Sequence, residues 1–275
     1  MKILILGCGY VGSEVARFWQ DSEHQVTVTT TTPEKVPSLE AISDRVEVVS
    51  GSDLTALKQV TQNQDIILLA VGAKGKDTYR ESYLETSTNL ITALENNQTV
   101  KQIIYTGSYG VLGDREGQLT DETVSTNPIT PGGKVLAETE QVLLAASSDR
   151  LKVCVLRLGG IYGKGRELIK IFGSRSGTVR PGAGEDYSNW IHLTDIVNAI
   201  ELARTKQLSG IFNLACDECL TTKEFFRRLY DAHNLPGITW DASQKSTRSY
   251  NTRLSNQKIK TAGMKFSYPQ LIFLM

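Results

Sequence analysis

Three short stretches carry residues whose types and spacing could do chemistry. "GCGYVG" at 7–12 sets glycines at the three G-x-G-x-x-G positions, the spacing with which a strand-to-helix turn receives a pyrophosphate. Gly7 would allow the tight turn, Gly9 would let the backbone approach the phosphates, and Gly12 would let the helix pack close. The helix amino terminus would then hold the phosphate charge. "PGGK" at 131–134 stands just ahead of a helical pattern, so Lys134 is either a solvated lysine at a helix start or part of an active site. A phosphate loop is excluded, because G-x-x-x-x-G-K-[ST] needs glycine at 128 and a hydroxyl at 135, where the chain has Pro128 and Val135. "CDEC" at 216–219 has the spacing of a redox pair or half a zinc site. Cys8 and Cys154 do not form a second pair, and His24, His192 and His233 show no ligand spacing with it. The stretch reads as a surface loop with two ordinary thiols, and no metal site is expected.

These residues need a scaffold, and the apolar pattern supplies one. "KILIL" (2–6) is followed by a helical face of Val11, Val15, Phe18 and Trp19. Strand-like runs at 25–30, 45–50, 65–71, 101–108 and 151–158 alternate with helical patterns at 53–62, 78–97 and 132–146. This βαβ rhythm specifies α/β architecture, a Rossmann-type doubly wound parallel sheet. Beyond Gly163 the rhythm changes to shorter pieces, which predict a small C-terminal substrate lobe. The expected division is 1–162 for the dinucleotide-binding domain and 163–275 for a lobe of interleaved segments. Within the lobe, Thr194 could cap a helix whose first turn contains Asp195.

Ligands of open α/β sheets bind beyond the carboxyl ends of the strands. Cofactor contacts are therefore expected at Gly7, Gly9, Tyr10, Val11 and Gly12, at Thr30 and Thr31, at Asp53, at Ala70, Val71 and Gly72, and at Gly160. An NAD site carries Asp or Glu about 20 residues past the glycines. Here the stretch is "TTTTPEK" (29–35), with no carboxylate until Glu34. Threonine hydroxyls and Lys35 repel a 2′-phosphate less than Asp would, which favours NADP slightly over NAD.

The 275 residues contain 30 Lys+Arg and 30 Asp+Glu, and 40% are apolar. Zero net charge argues against nucleic acid or an anionic membrane as the main partner. No stretch approaches the roughly 20 apolar residues of a membrane span. "MKILILG" resembles the start of a signal peptide, but its apolar run ends at Gly7 and charges follow at Glu14 and Arg17. A first strand of a cytoplasmic protein is the expectation.

Several later segments then fall into line. "IIYTGSYGVLGD" (103–114), "VLRLGGIYGKGR" (155–166), "WIHLTDIVNAI" (190–200) and "GIFNLACDECLTTKEF" (210–225) occur in order. Together they resemble the extended short-chain dehydrogenase/reductase superfamily of epimerases and dehydratases. The resemblance covers roughly residues 1–235 and extends more weakly into "RLSNQKIKTAGMKFSYP". It implies that Ser108, three before Val111, is the hydroxyl that holds a reacting oxygen. It also implies that Lys134 is the lysine of P-x-x-x-Y-x-x-x-K, where it would bind the nicotinamide ribose. The tyrosine position of that motif is occupied by Thr130. A phenol of pKa ~10 can be lowered by a nearby ammonium, whereas an aliphatic hydroxyl is a far weaker acid. Tyr109, next to Ser108, is the leading substitute proton carrier. Tyr162, Tyr187 and His192 are weaker candidates. Arg157 reads as the partner of a buried carboxylate, while Lys164 and Arg166 sit in a loop suited to an anionic substrate.

The implied function is an NAD(P)-dependent oxidoreductase or epimerase/dehydratase-like enzyme acting on a small carbohydrate- or nucleotide-linked molecule, with Ser108, Lys134 and Tyr109 as catalytic candidates. The alternative is a dinucleotide-binding redox sensor or assembly factor without chemistry. The resemblance also allows a homodimer through helices 78–97 and 132–146. Loops 109–128, 163–190 and 236–252 should set specificity.

Overall fold

A strand covered on both faces must be apolar at every inner position, and β1 (Lys2–Leu6) buries Ile3, Leu4, Ile5 and Leu6. The chain then runs through α1 (Tyr10–Asp21), β2 (Gln25–Thr30), β3 (Arg45–Val48), α2 (Leu54–Val60), β4 (Ile66–Leu69), α3 (Thr86–Leu94) and β5 (Gln102–Ser108). It continues through α4 (Pro131–Ala145), β6 (Lys152–Leu158), α5 (Leu193–Thr205), β7 (Gly210–Leu214) and α6 (Thr222–Ala232). The computed structural model describes residues 1–275, the side chain of Lys76 excepted. Strands β1 to β7 form one sheet in the order β7-β6-β5-β4-β1-β2-β3. β1 is parallel to β2 and β4, β2 to β3, and β4 to β5. The order reverses between β1 and β4, the switch point of a doubly wound sheet. The expected fold class is therefore present.

The chain divides into two compact units. The first comprises Met1–Ser108, Pro131–Arg157 and Val197–Phe212, and the second Tyr109–Thr130, Leu158–Ile196 and Asn213–Met275. In the first unit, sheet residues such as Leu4, Ile67, Ile103 and Val153 pack against Leu57, Leu90 and Leu143 of α2, α3 and α4. On α1, Val11, Val15 and Trp19 are buried, but Phe18, which the periodicity places beside them, is exposed.

The helix expected over 78–97 is not continuous α-helix. Residues Arg80–Glu85 form a wider, π-helical turn before α3. Thr86 explains the change. Its Oγ1 donates to the Glu81 carbonyl five residues back, and its side chain fills the space where a Cβ on Gly51 would be. Asn89 donates to the Gly51 carbonyl and fixes the same contact. Behind β5, Arg157 and Glu140, each 2% exposed, form a two-pronged ion pair with a shortest contact of 2.7 Å. Arg157 thus has the carboxylate partner that the sequence reading favoured.

The second unit is organised by aromatic residues. Strand Gly160–Tyr162 pairs in parallel with Trp190–His192. Trp190 stacks on Phe225 at 5.2 Å, and Phe172 meets Phe225 and Phe226 edge-on. α6 contributes Phe225, Phe226, Leu229 and Tyr230 from one buried face and is capped by Thr221, whose hydroxyl accepts from the Glu224 amide. Thr194 is not the cap of α5. Its own amide donates to Nδ1 of His192, so the imidazole satisfies that end. Asp195 instead accepts from the amides of Ser267 and Tyr268 and holds the C-terminal stretch. "CDEC" differs from expectation as well, because Cys216 is buried rather than on the loop surface.

Candidate functional site

Each glycine of the first turn has a distinct physical reason. Gly7 has φ +92°, and a Cβ there would come within 2.8 Å of the Val71 backbone. A Cβ on Gly12 would stand 2.7 Å from the Gly7 carbonyl oxygen. Gly9 is different: no atom lies within 4 Å of where its Cβ would be. Open volume therefore adjoins the backbone at the start of α1. That helix has no side-chain cap and no acid in its first turn, so its amide dipoles favour an anion. Tyr10 is half-buried and Val11 buried in this turn. Ala70 donates its amide to the Leu6 carbonyl, and open volume also adjoins Gly72. Gly7, Gly9, Gly12 and 70–72 are thus brought together, and they fit a dinucleotide pyrophosphate.

The threonines at the end of β2 and just beyond it differ in their surroundings. Thr29, 2% exposed, accepts from the Gly7 amide at 2.9 Å and pins the turn to the sheet. Thr30 exchanges hydrogen bonds with the backbone of Thr32, and Thr31 is exposed. The charges of Arg17 and Lys35 both reach the Cys8 thiol, whose pKa is raised first by burial. Asp53 caps α2 through Oδ1, accepting from the Ala56 amide at 2.9 Å. Ser108 is half-buried at the end of β5, and Lys134 is exposed in the first turn of α4. Gly132 in that turn lies under the Tyr79 ring, with 2.9 Å from a Cβ position to Cε1.

Gly160 and Tyr109 belong to the second unit. Gly160 donates its amide to the Asn189 carbonyl, and a Cβ there would overlap the Trp190 ring at 2.6 Å. Tyr109 is buried and meets Tyr250 edge-on at 5.2 Å. Burial pushes its pKa well above the ordinary phenol value. Tyr162 is raised for the same reason, and its hydroxyl accepts from the Ile272 amide. Burial raises the Cys216 thiol to about 12 and the Cys219 thiol to about 11, far from the thiolate that redox or metal chemistry needs.

Two features of this unit went unread in the sequence. The first is Asn189, 3% exposed. It donates to the Thr252 carbonyl at 2.7 Å, and its Oδ1 accepts from the Leu254 amide and the Cys219 thiol. The second is a cluster of arginines. Arg175 lies over the Phe172 ring at 4.9 Å and Arg180 over Phe226 at 5.4 Å. The pKa of Arg180 is lowered by burial and then by the charges of Arg175 and Arg248. Among the described residues, no carboxylate lies within 4.0 Å of these three guanidinium groups. The Nε–H of Arg248 is buried without a hydrogen-bond partner. A compositional signal was available: 164–180 carries Lys164, Arg166, Lys170, Arg175 and Arg180 against a single acid, Glu167.

Relatives share this architecture. Protein YeeZ of Escherichia coli (strain K12) is 30% identical over 222 residues, covering 78% of this chain and 77% of that protein. The UDP-glucose 4-epimerase of Thermotoga maritima, solved with UDP-glucose, superposes with a TM-score of 0.80 at 22% identity, covering 97% of this chain and 94% of that one. MoeE5, solved with UDP-glucose and NAD, gives 0.78 at 19% identity, with 95% and 91% covered. Residues 3–215, which contain the glycine turn, the switch point, Ser108 and Lys134, match a single family profile, and the chain belongs to the NAD dependent epimerase/dehydratase family.

Proposed function

We propose that the protein is an NAD(P)-dependent epimerase/dehydratase-like enzyme that acts on an anionic, nucleotide-linked sugar. The observation that carries the substrate class is the cluster of Arg175, Arg180 and Arg248, in which Arg175 and Arg180 lie over aromatic rings and none of the three guanidinium groups has a carboxylate within 4.0 Å among the described residues. Like charges gathered in a partly dry place are unfavourable until an anion joins them, so the cluster has a built-in demand for phosphate. The solved structures holding UDP-glucose support the same class.

The dinucleotide, when bound, would supply the hydride acceptor. The chain's own residues then have separate tasks. The turn at Gly7, Gly9 and Gly12 holds the pyrophosphate, the Ser108 hydroxyl holds the reacting oxygen of the sugar, and Lys134 binds ribose hydroxyls. Thr130 is too weak an acid to take the place of a phenol. The 2′-position is proposed to be phosphorylated, because the charges of Lys35 and of Arg17, which Glu14 pairs at 3.0 Å, reach the turn and the stretch 29–33 carries no carboxylate. A homodimer belongs to the same proposal, built on the α3–α4 face, where Leu84, Thr88, Gln141 and Val142 line an open groove of about 670 Å³.

Titrating NADPH and NADH by fluorescence, then measuring turnover on a panel of nucleoside-diphosphate sugars, tests the reading. NADPH should bind more tightly, and Ser108→Ala should lower turnover by about 100-fold, the order of an acid–base or orienting contribution. Dinucleotide binding without turnover on any panel member would replace the enzyme with a redox sensor. Thr130 is the residue that favours that second reading.

A further inference from the structure

The glycine turn is made of residues that are hard to hold still. Gly7 and Gly9 lack the Cβ that would restrict them, and a glycine loses more backbone freedom on ordering than any other residue. A pyrophosphate seated on such a turn must supply that order unless the fold has already done so. Thr29, the penultimate residue of β2, is placed to do it. Its Oγ1 accepts from the Gly7 amide at 2.9 Å, and its backbone carbonyl accepts from the Cys8 amide at 2.8 Å. The same hydroxyl donates to the Ile5 carbonyl at 3.4 Å. One residue thereby grips the end of β1 and the first two amides of the turn. The Gly9 amide is used within the turn, on the Gly7 carbonyl at 3.0 Å, and the Ser13 amide donates to the Gly9 carbonyl at 2.8 Å. What faces a phosphate is then the first turn of α1, which no side chain caps and which opens beside Gly9.

We propose that Thr29 is a positioning residue of the dinucleotide site, whose hydroxyl orders the glycine turn so that the start of α1 is aimed at the pyrophosphate before it arrives. This rests on the dinucleotide reading above. The side chain is 2% exposed, so it acts through the turn and not by touching the ligand. Its hydroxyl is committed to the turn on one side and to the strand on the other. Thr30 does not share the task, because its hydroxyl bonds with the Thr32 backbone. A valine at 29 has nearly the same shape, but it would leave the Gly7 amide facing a methyl group, and the turn would be free to move.

The test uses the full-length protein with NADPH and NADH as probes, followed by nicotinamide fluorescence. Thr29→Val should weaken binding of the preferred dinucleotide about 10-fold, the order of one hydrogen bond. Thr29→Ser returns the hydroxyl and should bind as wild type does. A packing role would not give that recovery, since serine lacks the methyl group that valine keeps. Amide exchange followed by NMR on ligand-free wild type needs no variant. The Gly7 amide should exchange slowly, as those of β1 do, and slow little further when NADPH is added. Wild type that binds neither dinucleotide would remove the dinucleotide reading and the clamp with it. If wild type binds and Thr29→Val binds equally well, or Thr29→Ser is as weak as Thr29→Val, the clamp alone is overturned. A Gly7 amide that exchanges freely until NADPH is present would also overturn it, because the ligand would then be ordering the turn.

Discussion

His192 shows how a single side chain ties stability to pH. The ring is 6% exposed, stacks on Tyr268 with centroids 3.7 Å apart, and takes the Thr194 amide on Nδ1. That bond needs an unprotonated Nδ1. Burial lowers the His192 pKa from its ordinary 6.5, with Asp195 opposing the shift. The unfolded chain therefore takes up a proton at a higher pH than the folded one. Stability from this group is complete above 6.5 and is lost as pH falls from there towards the folded value. Denaturant titrations at pH 7.5 and 5.5 should show the loss, and His192→Gln should flatten it. An unchanged slope in that variant would assign the pH dependence elsewhere. Local sequence gave no warning of this arrangement. Thr194 has the right residue type for a cap, yet the imidazole two residues earlier takes the bond because Tyr268, distant in sequence, fixes the ring.

At the scale of elements, the buried pair Arg157–Glu140 joins α4 to β6. The Glu140 pKa is raised because burial outweighs the help of Arg157, so the pair is a costly one and each member depends on the other. Arg157→Leu should destabilise the first unit by about 3–5 kcal/mol, since it strands a buried carboxylate. Adding Glu140→Leu should recover much of that loss, as measured by thermal unfolding. If the double variant were no better than the single, the ion pair would not be the reason for the loss. Elements of this kind were largely legible. β1, the glycine turn and α1 are specified within twenty residues by apolar runs and glycine spacing, and β4 by its continuous hydrophobicity. The π-helical turn was not legible, because it answers to a contact between Thr86 and Gly51 on separate elements. The anion pocket was hidden for the same reason. Asn189 meets Leu254 across 65 residues and Thr252 meets Gly113 across 139, and no spacing rule reaches that far.

At the scale of the whole molecule, the glycine turn belongs to one unit and the arginine cluster to the other, so their ligands can be told apart by where they protect the chain. A dinucleotide at 100 times its dissociation constant should stabilise its unit by about 2.7 kcal/mol. Hydrogen exchange should slow in 5–13 and 69–73. Protection confined to 170–190 and 243–254 would place the dinucleotide in the wrong unit and overturn the assignment of the glycine turn. Among the described residues no helix is long and apolar enough to cross a membrane.

The segmentation of the two units has a consequence for biosynthesis. Once Phe212 has left the ribosome, every segment of the first unit exists, and its sheet can close. The second unit then still lacks 213–275, which contains Arg248 and the stretch that Asp195 grips. During that interval the aromatic floor around Phe172 and Trp190 waits for Phe225 and Phe226 to cover it. Nascent chains stalled just past Phe212 should therefore resist protease in the first unit and be cut between 158 and 196.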